Sequence, residues 1–290
     1  MQIEPTSLSE PVSHWAKAVS PDALACVPGL AILAVWLLRT SLGRASLDDA
    51  PIRRNHVQQA AGGTLLALFV WMMPVPLVLS AVKPLVGGWD KWRIDLLANV
   101  TMGVSSAVTI LVVLAVARMT FARGLKGFGL RLATIPKDTW AALVNLLAIW
   151  PLVLAMIAVV LRIGEYRYGP TYQIGQHKEL ELLTNTHHLS LQVSIVILAV
   201  GLAPAVEEML FRGLVQTTLR SLVERPWPAV LLTSGLFAMV HQNVEHWPAL
   251  FVLAVGMGYA YEKSGSLWRP IVIHALFNCI PILQSLVSNP

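Results

Sequence analysis

Three short polar patterns interrupt apolar sequence in the last third of the chain: Glu207-Glu208 followed by Arg212, Phe237-x-x-x-His241, and His274-x-x-x-Asn278. Successive residues of a helix turn by about 100°, whereas residues four apart share a face. Glu208 and Arg212 therefore meet as an ion pair, and Glu207 points elsewhere, free for another task. By the same spacing Phe237 and His241 share one face, as do His274 and Asn278. Singly, each pattern has a structural explanation: an ion-pair network tying helices, a histidine satisfied at a helix end, or a hydrogen bond between helices worth about 0.6 kcal/mol in a membrane. Together they offer Glu, His, His and Asn to one place.

That set suits hydrolysis of an amide. A carboxylate held away from bulk water is suited to take a proton from water, which gives Glu207 the role of base. His241 orients the same water or shares its proton. His274 and Asn278 supply donors to the oxyanion that develops on the attacked carbonyl. A second arrangement uses the same atoms: Glu207, His241 and His274 as a two-histidine, one-carboxylate site, with a divalent metal such as zinc as cofactor and water in the fourth position. Both stand open at the level of sequence. A His-Glu-x-x-His helix is absent, so any metal site is not of the common zincin kind, and there is no Gly-x-Ser-x-Gly nucleophile elbow.

The elements that position these residues are membrane helices. Of the 290 residues, 56% are hydrophobic and 13% charged, too few charges to cover a soluble protein of this size. The net charge of +5 is spread over short loops, which argues against a nucleic-acid partner and for contacts with lipid head groups. Apolar runs cover 23–38, 60–82, 96–116, 140–161, 191–210, 228–240, 247–261 and 270–287. A spanning helix needs about 20 residues, so the expectation is an all-α, polytopic bundle of about eight membrane helices, with seven the fallback. The first run is marginal and the sixth and seventh are short.

A charged side chain near the membrane centre costs roughly 2.5–3.5 kcal/mol, so Glu207, Glu208 and Arg212 together cost on the order of 7–10 kcal/mol if unpaired. That rivals the stability of an ordinary domain, roughly 5–15 kcal/mol. A chain that keeps them has a use for them.

Gly265 predicts the end of the seventh helix, and Pro270 fits the first turn of the eighth. Residues 162–190 read as a loop with an amphipathic or re-entrant part near 178–183. Gly256 and Gly258 mark a close helix approach. Cys26 and Cys279 lie in apolar runs and read as small buried residues, not a disulfide. His14, His56, His177, His187, His188 and His246 fall in the tail, in loops or at a helix start and receive no role. The first 20 residues include Glu4 and Glu10 and lack a basic n-region, so the first run reads as a retained helix rather than a signal peptide. With eight spans, the odd-numbered loops hold 14 of the 21 Lys and Arg residues and the tail and even-numbered loops hold 7. The positive-inside rule then puts the odd loops in the cytoplasm, both termini outside, and the Glu-Glu end of the fifth helix nearer the cytoplasm.

The stretch from about 201 to 278 resembles the CAAX-protease and bacteriocin-processing family of intramembrane endopeptidases. Glu-Glu-Met-Leu-Phe-Arg-Gly (207–213), Phe-Ala-Met-Val-His (237–241) and His-Ala-Leu-Phe-Asn (274–278) carry the resemblance, with the lead-in at 261–270. It divides the chain into residues 1–190, membrane helices without a recognisable motif, and 191–290, a protease core. It implies a multi-pass membrane protease whose site lies inside the bundle and opens toward the cytosol; in a bacterial cell the expected location is the plasma (inner) membrane. Glu207 would be the water-activating base and His241 its partner. His274 and Asn278 would stabilise the tetrahedral intermediate, with Glu208, Arg212 and Phe237 supporting the site. The substrate class implied is a protein or peptide, lipid-anchored in some relatives. Members are described both as metalloproteases and as metal-independent glutamate enzymes, and others act in bacteriocin immunity or as scaffolds. A scaffold or immunity protein is the rival reading of this chain. A proton-coupled transporter fits less well, because the sequence shows no internal repeat.

Overall fold

The computed structural model describes residues 21–50, 57–223 and 225–288, and His14, His56, Glu4 and Glu10 lie outside them. The described residues are helical almost throughout, in accord with the expected class. The helices are α1 (Pro21–Arg39), α2 (Val57–Met72), α3 (Pro74–Val82), α4 (Lys91–Thr120), the short α5 (Gly124–Phe128), α6 (Ile135–Tyr168) and α7 (Lys178–Asn185). Then come α8 (Leu189–Val223), α9 (Pro226–Met239), α10 (Trp247–Ser264) and α11 (Trp268–Ser288). Four segments are long and apolar enough to cross a membrane: Ala60–Val82, Lys91–Thr120, Gly124–Tyr168 and Leu189–Val223. Their outward faces carry side chains such as Leu65, Phe69 and Leu111, all more than 60% exposed, which only lipid solvates well. The chain is an integral membrane protein.

Helix ends follow local chemistry. Pro74 opens α3 where α2 stops, since proline tolerates a first turn and breaks the turn before it. Gly265 closes α10 in the left-handed conformation, φ 70°, as its position predicts. Two expectations change. The polar stretch 162–190 is not all loop: α6 continues to Tyr168, and α7 occupies the amphipathic part. Cys26 and Cys279 are free thiols, but each is only partly buried.

Successive helices run up and down, which gathers the connections at two ends. At one end, the turn after α10 holds the others together. The Leu267 amide donates to the Gly129 carbonyl at 3.1 Å, and Arg269 pairs with Asp138 at 2.8 Å. Lys263 pairs with Asp49 after α1, and Arg220 lies 4.0 Å from Glu262. At the other end, the connections after α6 and α9 are joined. Tyr172 donates to Glu245 at 2.6 Å, and His177 bonds His246 at 2.6 Å.

One core links both parts of the chain. Leu146, Ile149 and Val153 of α6 share one apolar cluster with Val206, Leu210 and Leu214 of α8 and Leu253 and Met257 of α10. In a membrane such packing rests on van der Waals fit and small residues. Gly256 shows it: a Cβ there would come within 2.1 Å of Ile149 Cδ1. A Cβ on Gly258 would come within 2.8 Å of the Gln216 side chain, so both glycines do mark close approaches.

Candidate active site

α8 is the spine of the site. The sequence reading ended this helix at Leu210 and counted Arg212 toward a loop, but the helix continues to Val223 and Arg212 is fully buried inside it. Two widened π-helical turns, Ile197–Leu202 and Met209–Gln216, flank the regular turn Ala203–Glu208. Pro204 accounts for the consequence of the first. In the widened turn the Ala203 amide bonds the Leu198 carbonyl, five residues back. The Ala199 carbonyl would receive the next amide in that register, and Pro204 has none. Asn278 on α11 fills the gap, its Nδ2 donating to the Ala199 carbonyl at 2.8 Å.

The ion pair is where the spacing puts it. Arg212 Nη1 donates to Glu208 Oε1 at 2.7 Å, and both side chains are 0% exposed. Arg212 Nη2 reaches the Ala254 carbonyl on α10 at 3.2 Å, and the guanidinium carbon sits 4.5 Å from the Phe237 ring centre. Planar stacking on an aromatic face suits arginine in a dry site. One turn on, Gln216 donates to the Gly258 carbonyl and to Glu262, at 3.1 and 3.0 Å. Glu208, Arg212, Gln216 and Arg220 thus form a polar seam at intervals of four, facing Ala254, Gly258 and Glu262 of α10, also spaced by four. The sequence reading missed Gln216 and Glu262, although the repeat of four was there to be counted. Gly213, inside the same motif, makes room for Phe128: a Cβ there would lie 2.4 Å from that ring.

His274 joins the two carboxylates. Its Nδ1 lies 2.9 Å from Glu208 Oε1 and its Nε2 3.9 Å from Glu207 Oε2. Paired with arginine, the Glu208 carboxylate only accepts, so Nδ1 carries the hydrogen and Nε2 is the nitrogen that faces Glu207. Glu207 thus points away from the ion pair, as a 100° rotation requires. A gap of 3.9 Å is too long for a hydrogen bond and short enough for one water bonded to both groups.

His241 stands just past α9. That helix has 14 residues and rises about 21 Å, short of the roughly 30 Å hydrocarbon core. Its end therefore lies within the membrane's thickness. His241 Nδ1 donates to the Phe237 carbonyl at 2.8 Å, which also leaves Nε2 unprotonated in the neutral ring. Phe237 is the hub: its ring centre lies 4.9 Å from that of His241 and 5.6 Å from that of His274. The fold thus draws Glu207, Glu208, Arg212, Phe237 and His274 together, with His241 across the Phe237 ring. Asn278 shares the helix face of His274 but commits one amide hydrogen to bracing α8. Among the histidines given no role, His188 stacks on Trp92 at 4.0 Å, and His177 and His246 bond each other.

A zinc ion needs its protein donors about 2.0–2.2 Å from one point. Glu207 and His274 approach each other, but among the described residues no three His, Cys, Asp or Glu side chains converge to hold a metal. The two-histidine, one-carboxylate arrangement is not assembled here, and no step below is routed through a metal.

No curated protein and no solved structure matches the chain. The residues that build the site do match a family model: positions 189–280, from the start of α8 into the last helix, fit the model described as type II CAAX prenyl endopeptidase Rce1-like, which supports a likeness to the CAAX proteases over this part of the chain.

Proposed function

We propose that the protein is an integral membrane endopeptidase that hydrolyses a peptide bond near the C-terminus, or in the membrane-proximal part, of a protein or peptide substrate. The observation that carries this reading is the placement of Glu207 beside His274 Nε2, with Glu208 and Arg212 behind the ring. Glu207 takes a proton from a water held between its carboxylate and the imidazole. The resulting hydroxide attacks the scissile carbonyl carbon. His274 carries on Nε2 a second proton, taken up from solvent before the attack. It donates that hydrogen first to the water and then to the oxyanion while the charge on its ring faces Glu208, and the second amide hydrogen of Asn278 is available to the same oxygen. Collapse of the tetrahedral intermediate breaks the C–N bond, and Glu207 returns its proton to the departing amine. His241, with Nε2 free, accepts from the attacking water.

The test is cleavage by the purified full-length chain in detergent. It would be given a library of peptides and lipid-anchored peptides, with products read by mass spectrometry. Glu207→Gln should lower the rate roughly 10²–10⁴-fold, the usual worth of a positioned base, with an unchanged melting temperature. Wild-type activity in that variant sinks the assignment. A chelator in parallel reactions should leave the rate unchanged. Loss that added zinc restores would transfer the role of activating water to a metal. A wild-type chain that cleaves nothing in the library favours the scaffold reading.

A further inference from the structure

The knotted end of the bundle encloses a cavity of about 470 Å³ that shares no residue with the site above. Arg123, Lys126, Arg131, Lys137 and Arg269 line it, with Asp138 the lone carboxylate. Asp138 is taken up by Arg269 at 2.8 Å. The other four cations make no ion pair among the described residues, so the cavity concentrates uncompensated positive charge. The rest of its wall is largely backbone and small side chains, from Gly127, Gly129, Gly265 and Ser266. Gly129, at φ 104°, cannot be enlarged cheaply: a Cβ there would lie 2.7 Å from the Gly265 carbonyl oxygen. The bond from the Leu267 amide to the Gly129 carbonyl fixes one side of the cavity to the other. The mouth is thus a shaped, basic recess on a rigid frame and not a scatter of mobile surface lysines.

Its position says which anion it meets. α4, a membrane-spanning helix, ends at Thr120, immediately before the cavity wall, and α6 begins at Ile135 within it. Around the recess, Met119, Leu132 and Trp140 point outward, 78, 75 and 69% exposed. Apolar side chains and a tryptophan at the end of a span mark the level where head groups give way to acyl chains. Basic recesses between membrane helices recognise phosphate-bearing head groups through charge-assisted hydrogen bonds, with guanidinium forks well matched to phosphate oxygens.

We propose that this cavity binds a phosphate-bearing anion, and that its occupant is the head group of an anionic phospholipid, with the acyl chains lying along Met119, Leu132 and Trp140. The proposal stands independently of the protease reading.

The full-length chain, stripped of lipid in detergent, would be titrated with cardiolipin, phosphatidylglycerol and phosphatidylcholine, and separately with inorganic phosphate and pyrophosphate. Lipid adducts would be read by native mass spectrometry and stabilisation by thermal shift. Anionic lipid should bind at least ten-fold more tightly than phosphatidylcholine. Binding should weaken at least ten-fold in Arg123→Gln/Arg131→Gln/Lys137→Gln, three exposed positions whose melting temperature without lipid should match wild type. Lys91→Gln/Arg162→Gln, at the opposite end, and Glu207→Gln should bind as wild type does. Equal retention by the triple variant and wild type overturns the site. Saturation by pyrophosphate or phosphate as tight as by lipid overturns the lipid assignment in favour of a water-soluble anion.

Discussion

Removing the Arg212 guanidinium strands the fully buried Glu208 carboxylate, the group that fixes the hydrogen of His274 on Nδ1, without its counter-charge. Breaking a buried pair from one side costs about 3–5 kcal/mol. Arg212→Met and Glu208→Gln should each destabilise the chain by that amount and abolish cleavage. Glu208→Gln/Arg212→Met should cost less than the sum of the two, by about 0.5–3 kcal/mol. Reversible unfolding in detergent measures all three, and strict additivity would show that the pair is not coupled. Glu207, one residue earlier, should behave in the opposite way, being needed for cleavage and neutral for folding. That contrast was legible in the sequence, because a helical turn of about 100° separates adjacent carboxylates whatever surrounds them. Two residue-level facts were not. The Phe237 ring between the two histidines, and the Ala199 carbonyl that claims Asn278, depend on how separate helices meet, and spacing within one helix says nothing of that.

The segment between α6 and α7 closes over the His241 end of the bundle. Besides the Tyr172 bond to Glu245, the Gly175 amide donates to Glu245 at 3.3 Å, and His246 Nε2 donates to the Gly175 carbonyl at 2.9 Å. That last bond leaves His246 Nδ1 to accept from His177 Nε2, so the contact requires His246 to be neutral. Its bond to Glu245 pushes the Tyr172 phenol up to about 12, so it remains a donor at any physiological pH. Burial, and then the neighbouring imidazoles of His246 and His241, push His177 down from 6.5 to about 4. A depressed folded-state value means that keeping His177 buried and neutral contributes to the closed strap fully above about pH 6.5, and that contribution is lost progressively as pH falls toward 4. Hydrogen exchange in residues 169–177, corrected for intrinsic rates, should speed up between pH 7 and pH 4.5. Protection that stays constant over that range would show that burial of His177 is not coupled to closure of the strap. The amphipathic helix near residue 178 was readable from composition. The length of α8 was not, because a charged residue such as Arg212 looks like a helix end until its partner on the same helix and the α10 carbonyl it reaches are seen together.

Across the whole bundle, the two topological expectations pull against each other. The connections after α1, α4, α8 and α10 meet at one end and carry the basic excess, whereas His241 and its strap belong to the other end. The positive-inside rule assigns the basic end to the cytoplasm, and His241 then lies toward the far side, with Glu207 near the middle of α8. Single cysteines at Leu132 and Val244, introduced after replacing Cys26 and Cys279, should label from opposite sides, with Leu132 cytoplasmic. Cytoplasmic labelling at Val244 would mean that charge does not set the orientation, and it would restore the cytosolic opening implied by the family. The same long view brings out what the two widened turns of α8 mean for the molecule. Each works like a shim in a screw, taking up one surplus residue so that the thread above and the thread below engage different neighbours in step. Dropping one residue between Met209 and Gln216 would swing one half of the rod by about 100° against the other, and no regrouping of side chains could bring both halves back into register. Over that stretch the number of residues is as much a part of the site as their identity.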